Sequence, residues 1–150
     1  MMYLIDFAGT LFDTATFDTY MKSREGGMAF APGELAQFLY PDAAGFLRDK
    51  GNSAMVITAM DKEEGAGIIE SALSGIPRIA VMYTAGKAKG EYLAPHISMY
   101  GASPVFVDDS IEQLASMAQH CPGVQVFQMV RDEAKRHDIW PIVHSFSELP

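Results

Sequence analysis

The chain of 150 residues has one cysteine, Cys121, so no disulfide can form within it. A reducing, cytoplasmic setting is the simplest expectation. Cations are also scarce, with 11 Lys and Arg against 19 Asp and Glu and a net charge of -8. Nucleic acid and anionic membrane surfaces demand clustered positive charge, so neither is expected as a principal partner. No apolar run approaches the roughly 20 residues of a membrane span, and no basic segment precedes the first apolar run as in a secretion leader. The four histidines, His96, His120, His137 and His144, are scattered and keep no ligand spacing. Internal repeats, linkers and low-complexity tracts are absent. What remains is 49% hydrophobic and 20% charged, a composition and length suited to a single domain with a sizeable core.

Short apolar runs alternate with amphipathic stretches. Residues 3–7, 54–57, 78–83, 104–107 and 124–129 read as strands, and 142–143 as a short edge strand. Helices are expected over 16–24, from Pro41-Asp42 to Lys50, from an Asp61 N-cap to Leu73, in 86–95, and over 110–119. The alternation predicts an α/β fold, a mostly parallel sheet of about five strands with helices on both faces. Residues 11–40 are the least regular and are expected as a small insertion, a flap beside the end of the first strand.

Ligands of such sheets bind beyond the carboxyl ends of the strands. Placed there are Asp6 and Gly9-Thr10, then Thr58, then Tyr83-Thr84 with Lys87 and Lys89 following, then Asp108-Asp109. Carboxylates brought together repel unless a cation sits among them. A hard divalent ion such as Mg2+, held by Asp6, Asp108 and Asp109 and shared with a substrate phosphate, satisfies such a set. Thr58, a lysine and the Gly9-Thr10 amides are candidates to hold the phosphate. Asp6 could then attack phosphorus.

This set resembles the haloacid dehalogenase-like (HAD) hydrolases over roughly residues 3–130. The D-x-D-G-T-L motif of that superfamily is matched by Asp6-Phe7-Ala8-Gly9-Thr10-Leu11, and its strand-end Thr or Ser by Thr58. Its lysine is matched by Lys89 or alternatively Lys87, and its acidic pair by Asp108-Asp109. The resemblance implies a Rossmann-like fold and an aspartyl-phosphate on Asp6. It also implies a small phosphorylated substrate and Mg2+ bound by Asp6, the Ala8 carbonyl and Asp109, with Asp108 beside it. Thr58 and Lys89 would bind the phosphoryl group. The short 11–40 and 58–89 spans leave no room for a large cap, so a capless member is expected.

Ala8 departs from the motif. The phosphatases of this superfamily carry an acid/base Asp there, and alanine can neither give nor take a proton. The expected function is therefore Mg-dependent phosphoryl-group hydrolysis, weak or inactive as the chain stands. The alternative is a non-catalytic protein that binds a phosphorylated ligand or a protein partner. A phosphonatase-like hydrolase shares D-x-A-G-T but needs a cap lysine, for which 11–40 offers only Lys22. Asp13 is a candidate replacement acid, against a plain turn role, and Arg131 a candidate to reach the cleft.

Overall fold

The computed structural model describes residues 1–150. Six strands form one parallel sheet: β1 (Tyr3–Asp6), β2 (Ala54–Thr58), β3 (Ala80–Tyr83), β4 (Val105–Asp108), β5 (Gln125–Met129) and β6 (Ile142–Val143). Their order is β3-β2-β1-β4-β5-β6, so the expected edge strand is present and the Rossmann-like architecture is as expected. Each register is regular, with Ile5 beside Val56 on one flank and beside Val107 on the other. The helices are α1 (Thr14–Ser23), α2 (Ala43–Lys50), α3 (Lys62–Leu73), α4 (Lys89–Leu93) and α5 (Ile111–His120). Asp61 caps α3 by accepting from the Glu64 N–H at 2.8 Å, and Ser110 caps α5 in the same way. No helix is long and apolar enough to cross a membrane.

Strand side chains alternate between faces, and the core divides accordingly. Tyr3, Ile5, Val56, Val105 and Val107 join a cluster of 22 buried residues with α2 and α3. Leu4, Met55, Ile57 and Phe106 join a cluster of 9 with Leu93 of α4 and Leu114 and Met117 of α5. Full burial of each Leu or Ile is worth about 1.5–3 kcal/mol. Cys121 belongs to the smaller cluster, where burial pushes its thiol pKa up; it is a packed residue without an activating neighbour.

The 11–40 segment, expected as a small flap beside the first strand, contains the expected helix as α1 and packs onto the core. Leu11, Phe12, Phe17, Leu35 and Phe38 are buried in the larger cluster. Phe12 stacks on Phe7 with centroids 4.7 Å apart and meets Phe17 edge-on at 5.2 Å. Ser71 of α3 ties the segment down, donating to the Ala31 carbonyl at 2.8 Å and accepting from the Leu35 N–H at 3.1 Å. Aromatic burial, rather than regular periodicity, orders this stretch.

The strand order reverses direction at β1 and β4. That is the topological switch point, where open α/β sheets form their crevice. Asp6 ends one of these neighbouring strands and Asp108 the other.

Candidate active site

Parity decides which side chains meet. Leu4 and Phe106 face α4 and α5, so two residues on, Asp6 and Asp108 face the same way. Lys89 opens α4 on that face, and its Nζ lies 2.6 Å from Asp6 Oδ1 and 2.6 Å from Asp108 Oδ2. Lys89 is 1% exposed, a burial tolerable only because the ammonium is doubly paired. Its backbone N–H donates to Gln113 Oε1 at 2.8 Å. Gly90 lets α4 sit directly on α5, because a Cβ there would collide with the Ser116 backbone. Lys87 does not take part; it stands exposed on the preceding turn, where its carbonyl accepts from Thr84 Oγ1 at 2.7 Å.

Asp109 completes the cluster from the other side, and Asp6, Asp108 and Asp109 bring carboxylate oxygens within 4.8 Å of one another. Gly9, with φ of 80°, makes room for it: a Cβ at Gly9 would overlap the Asp109 carboxylate. Asp108 is steadied by the Ser110 N–H at 2.9 Å, and Asp6 Oδ2 accepts from the Thr10 hydroxyl at 3.0 Å.

The charges do not balance. Three carboxylates face one ammonium, which leaves two negative charges uncompensated. Burial, reinforced by the Asp6 charge, pushes the Asp108 pKa well up against the pull of Lys89. The same two causes raise Asp109 from 3.8 to about 7. Burial acts to strip the proton from Lys89, but the two carboxylates outweigh it and its pKa rises. The donors are all hard oxygens, so a divalent ion such as Mg2+ fits both the charge and the chemistry of the site.

Ala8 sits at the mouth of this cluster. It is exposed, and neither its N–H nor its C=O is hydrogen-bonded within the chain. The Ala59 N–H beyond β2 is likewise unpaired. Thr58 is 2% exposed; its hydroxyl accepts from the Met60 N–H at 3.2 Å and its own proton has no acceptor in the chain. These groups are therefore available to an incoming ligand. The Gly9 and Thr10 amides, candidates from sequence, are corrected here. Gly9 N–H donates to the Phe12 carbonyl at 2.9 Å and Thr10 N–H to the Phe7 carbonyl at 3.3 Å, so the turn consumes both. Thr10 is fully buried, and its hydroxyl serves Asp6 instead of a phosphate.

Asp13 is the N-cap of α1, bonded to the Thr16 N–H at 3.2 Å and the Thr16 hydroxyl at 2.7 Å. That is the turn role rather than the acid role. Lys22 is exposed on the last turn of α1. Gln113 and Ser110, which hold the backbone of Lys89 and the side chain of Asp108, carried no sequence signal beyond the start of a helix.

No family model matches the sequence, and no curated protein matches it either. Solved structures do. A Burkholderia xenovorans LB400 protein described as a haloacid dehalogenase-like hydrolase superposes with a TM-score of 0.67 at 14% identity, over 96% of this chain and 92% of its own. The fold is that of the HAD-like hydrolases. The Unknown transcript 4 protein of Saccharomyces cerevisiae gives a TM-score of 0.68 at 13% identity, covering 99% of both chains. The N-terminal part of a Bacteroides fragilis protein containing a phosphatase domain, complexed with Mg, gives 0.56 at 17% identity, over 87% of this chain and 36% of that one. At these identities the likeness speaks to the HAD-like fold alone.

Proposed function

We propose that the chain is a capless, single-domain HAD-like phosphoryl hydrolase that depends on Mg2+ and uses Asp6 as nucleophile. The observation that carries this reading is the uncompensated carboxylate cluster at the switch point, with Lys89 bridging Asp6 and Asp108 at 2.6 Å each. Asp6, the Ala8 carbonyl and Asp109 would hold the ion, with Asp108 beside them. When bound, Mg2+ would supply charge neutralisation for the carboxylates and the phosphoryl oxygens. The Mg-bound phosphatase domain from Bacteroides fragilis shares this fold and supports the reading.

The roles of the chain's own groups follow from their chemistry. Lys89 and the free Thr58 proton take phosphoryl oxygens, and the unpaired Ala8 and Ala59 N–H groups add two neutral donors. An Asp6 oxygen forms a bond to phosphorus while the bond from phosphorus to the leaving oxygen breaks, and that oxygen departs with the electron pair. Ala8 offers it no proton, and Asp13 is held as an N-cap. Acyl and aryl phosphates, whose leaving groups need no protonation, are therefore the substrates that can load Asp6. Water then bonds to phosphorus as the bond to the Asp6 oxygen breaks and gives its proton to solvent, slowly, because Ala8 cannot take it. General acid–base assistance is worth about 10²–10⁴ in rate. Ala8→Asp is expected to raise alkyl phosphate hydrolysis by that order, and Asp6→Asn to abolish hydrolysis of every substrate.

The missing proton donor at Ala8 also favours a second reading, a non-catalytic protein that binds a phosphorylated ligand at the same groups. Mg-dependent hydrolysis of an aryl and several alkyl phosphates, by the native chain and by Ala8→Asp, separates the two. An Ala8→Asp protein inert on every substrate would leave the binding reading standing.

A further inference from the structure

Arg131, just beyond β5, lines the small cavity beside Gly9 and Asp109, and it is built into the turn that follows Asp6. Its Nε and Nη2 both donate to the Thr10 carbonyl, at 3.2 and 2.9 Å. Its Nη1 pairs with Asp42 Oδ1 at 3.0 Å and donates to the His144 carbonyl at 3.3 Å. The guanidinium lies 4.3 Å from the Tyr40 ring centroid and 5.3 Å from that of Phe146. Asp42 in turn accepts the Phe146 N–H at 2.8 Å. The side chain is 13% exposed.

A purely structural clasp needs only Asp42 and the two rings. The forked pair of bonds falls elsewhere, on the carbonyl of the one residue whose hydroxyl holds Asp6 Oδ2. The N–H of Thr10 makes a long bond of 3.3 Å, so the carbonyl clamp is the firmer anchor of that residue's backbone. Asp42 already balances the Arg131 charge, which leaves geometry rather than charge as what Arg131 contributes. A planar fork with two parallel donors supplies that geometry, and a lysine ammonium does not.

We infer that Arg131 is a positioning residue for the nucleophile: it clamps the Thr10 carbonyl, which fixes the Thr10 hydroxyl on Asp6 Oδ2 and holds the carboxylate in one rotation opposite Lys89. The kinetic consequence rests on Asp6 being the nucleophile; the geometric one does not.

The test has two arms in the full chain. By NMR, the Thr10 hydroxyl proton is expected to exchange slowly and its χ1 couplings to report a single rotamer. Arg131→Lys is expected to lose both while the amide shifts of β2, β3 and α3 stay in place. Asp42→Asn, which weakens the clasp and spares the fork, is expected to lower stability and leave the Thr10 signals unchanged. Thr10 signals that survive Arg131→Lys would overturn the inference. In the Ala8→Asp background, Arg131→Lys and Thr10→Val are each expected to lower kcat on an aryl phosphate roughly tenfold to a hundredfold, with KM within about twofold. The double variant is expected to be no slower than either single one, and losses that multiply would overturn the link. If Arg131→Lys fails to fold, Thr10→Val tests the same link with the clamp intact, and an unchanged kcat would overturn it. An Ala8→Asp protein with no Mg-dependent activity would refute the proposed function, while the Thr10 signals still decide the role of Arg131.

Discussion

Arg24 with Glu34, and Lys89 with Asp6 and Asp108, are both close cation–carboxylate clusters, yet Glu34 is pushed down and Asp108 up. In the first, Arg24 Nε lies 2.7 Å from Glu34 Oε2, and the same carboxylate accepts the Tyr20 hydroxyl at 2.6 Å and the Ala31 N–H at 3.0 Å. Arg24, with the help of Tyr20 and Ala31, brings Glu34 down from 4.5 to about 2. The remaining Arg24 donors reach the Gly27 and Ala29 carbonyls. One carboxylate meets one guanidinium and a set of neutral donors, and nothing more is required. In the second cluster burial and like charge drive Asp109 up to about 7. The first cluster staples a loop. The second leaves negative charge uncompensated, which is the charge pattern the proposed Mg2+ and phosphate site requires.

Removing the cation should separate the two clusters most sharply. Lys89→Met leaves the buried Asp6 and Asp108 and the half-buried Asp109 facing one another, and loss of one partner of a buried pair costs about 3–5 kcal/mol. Urea unfolding without divalent ions reads this, and a loss below about 1 kcal/mol would show that Lys89 does not compensate the cluster. Asp109→Asn should act in the other direction. It should relieve repulsion, stabilise the metal-free protein by about 1 kcal/mol, and remove the rise in melting temperature that the proposed Mg2+ site is expected to give the native chain. A destabilised Asp109→Asn protein that still responds to Mg2+ would contradict the charge argument.

The pH dependence has opposite signs in the two places. The Asp109 pKa is raised above its unfolded value, so the folded form keeps an extra proton between about pH 4 and 7, and metal-free stability falls as pH rises through that window. Mg2+ should flatten that slope, and thermal melts across the range with and without the ion would show it. The Glu34 pKa is depressed, so its contribution is present above about pH 4.5 and fades as pH falls toward 2. Glu34→Gln should have the smallest effect of all: a slight fall in the urea midpoint, with faster amide exchange confined to residues 24–31. Global destabilisation by Glu34→Gln would make the staple something more than a loop device.

Much of the arrangement was legible because strand patterning is local. Apolar runs ending in Asp6, Thr58 and Asp108-Asp109 fix where side chains emerge, and alternation every second residue puts Asp6 and Asp108 on one face whatever the loops do. The Asp61 cap, the alternation of strands and helices, and the turn at Gly9 are equally short-range. Within residues 11–40 the helix was legible, but the packing of Phe12, Phe17 and Phe38 against Phe7 and α3 was not, because which rings meet is set by the tertiary fold. The Gly9 and Thr10 amides were misassigned because a tight turn can spend its N–H groups on its own carbonyls.

What the sequence determined by itself, then, was the set of chemical groups and the strand ends that carry them, since both follow from patterns a few residues long. The choice of Lys89 over the neighbouring Lys87 belonged to the tertiary structure, because it depends on Gly90 lying against the Ser116 backbone. So did the clamp of Arg131 on Thr10, which joins residues 121 apart in the chain. Such contacts form only when the sheet closes its order and brings distant segments to one crevice, and no local rule encodes them.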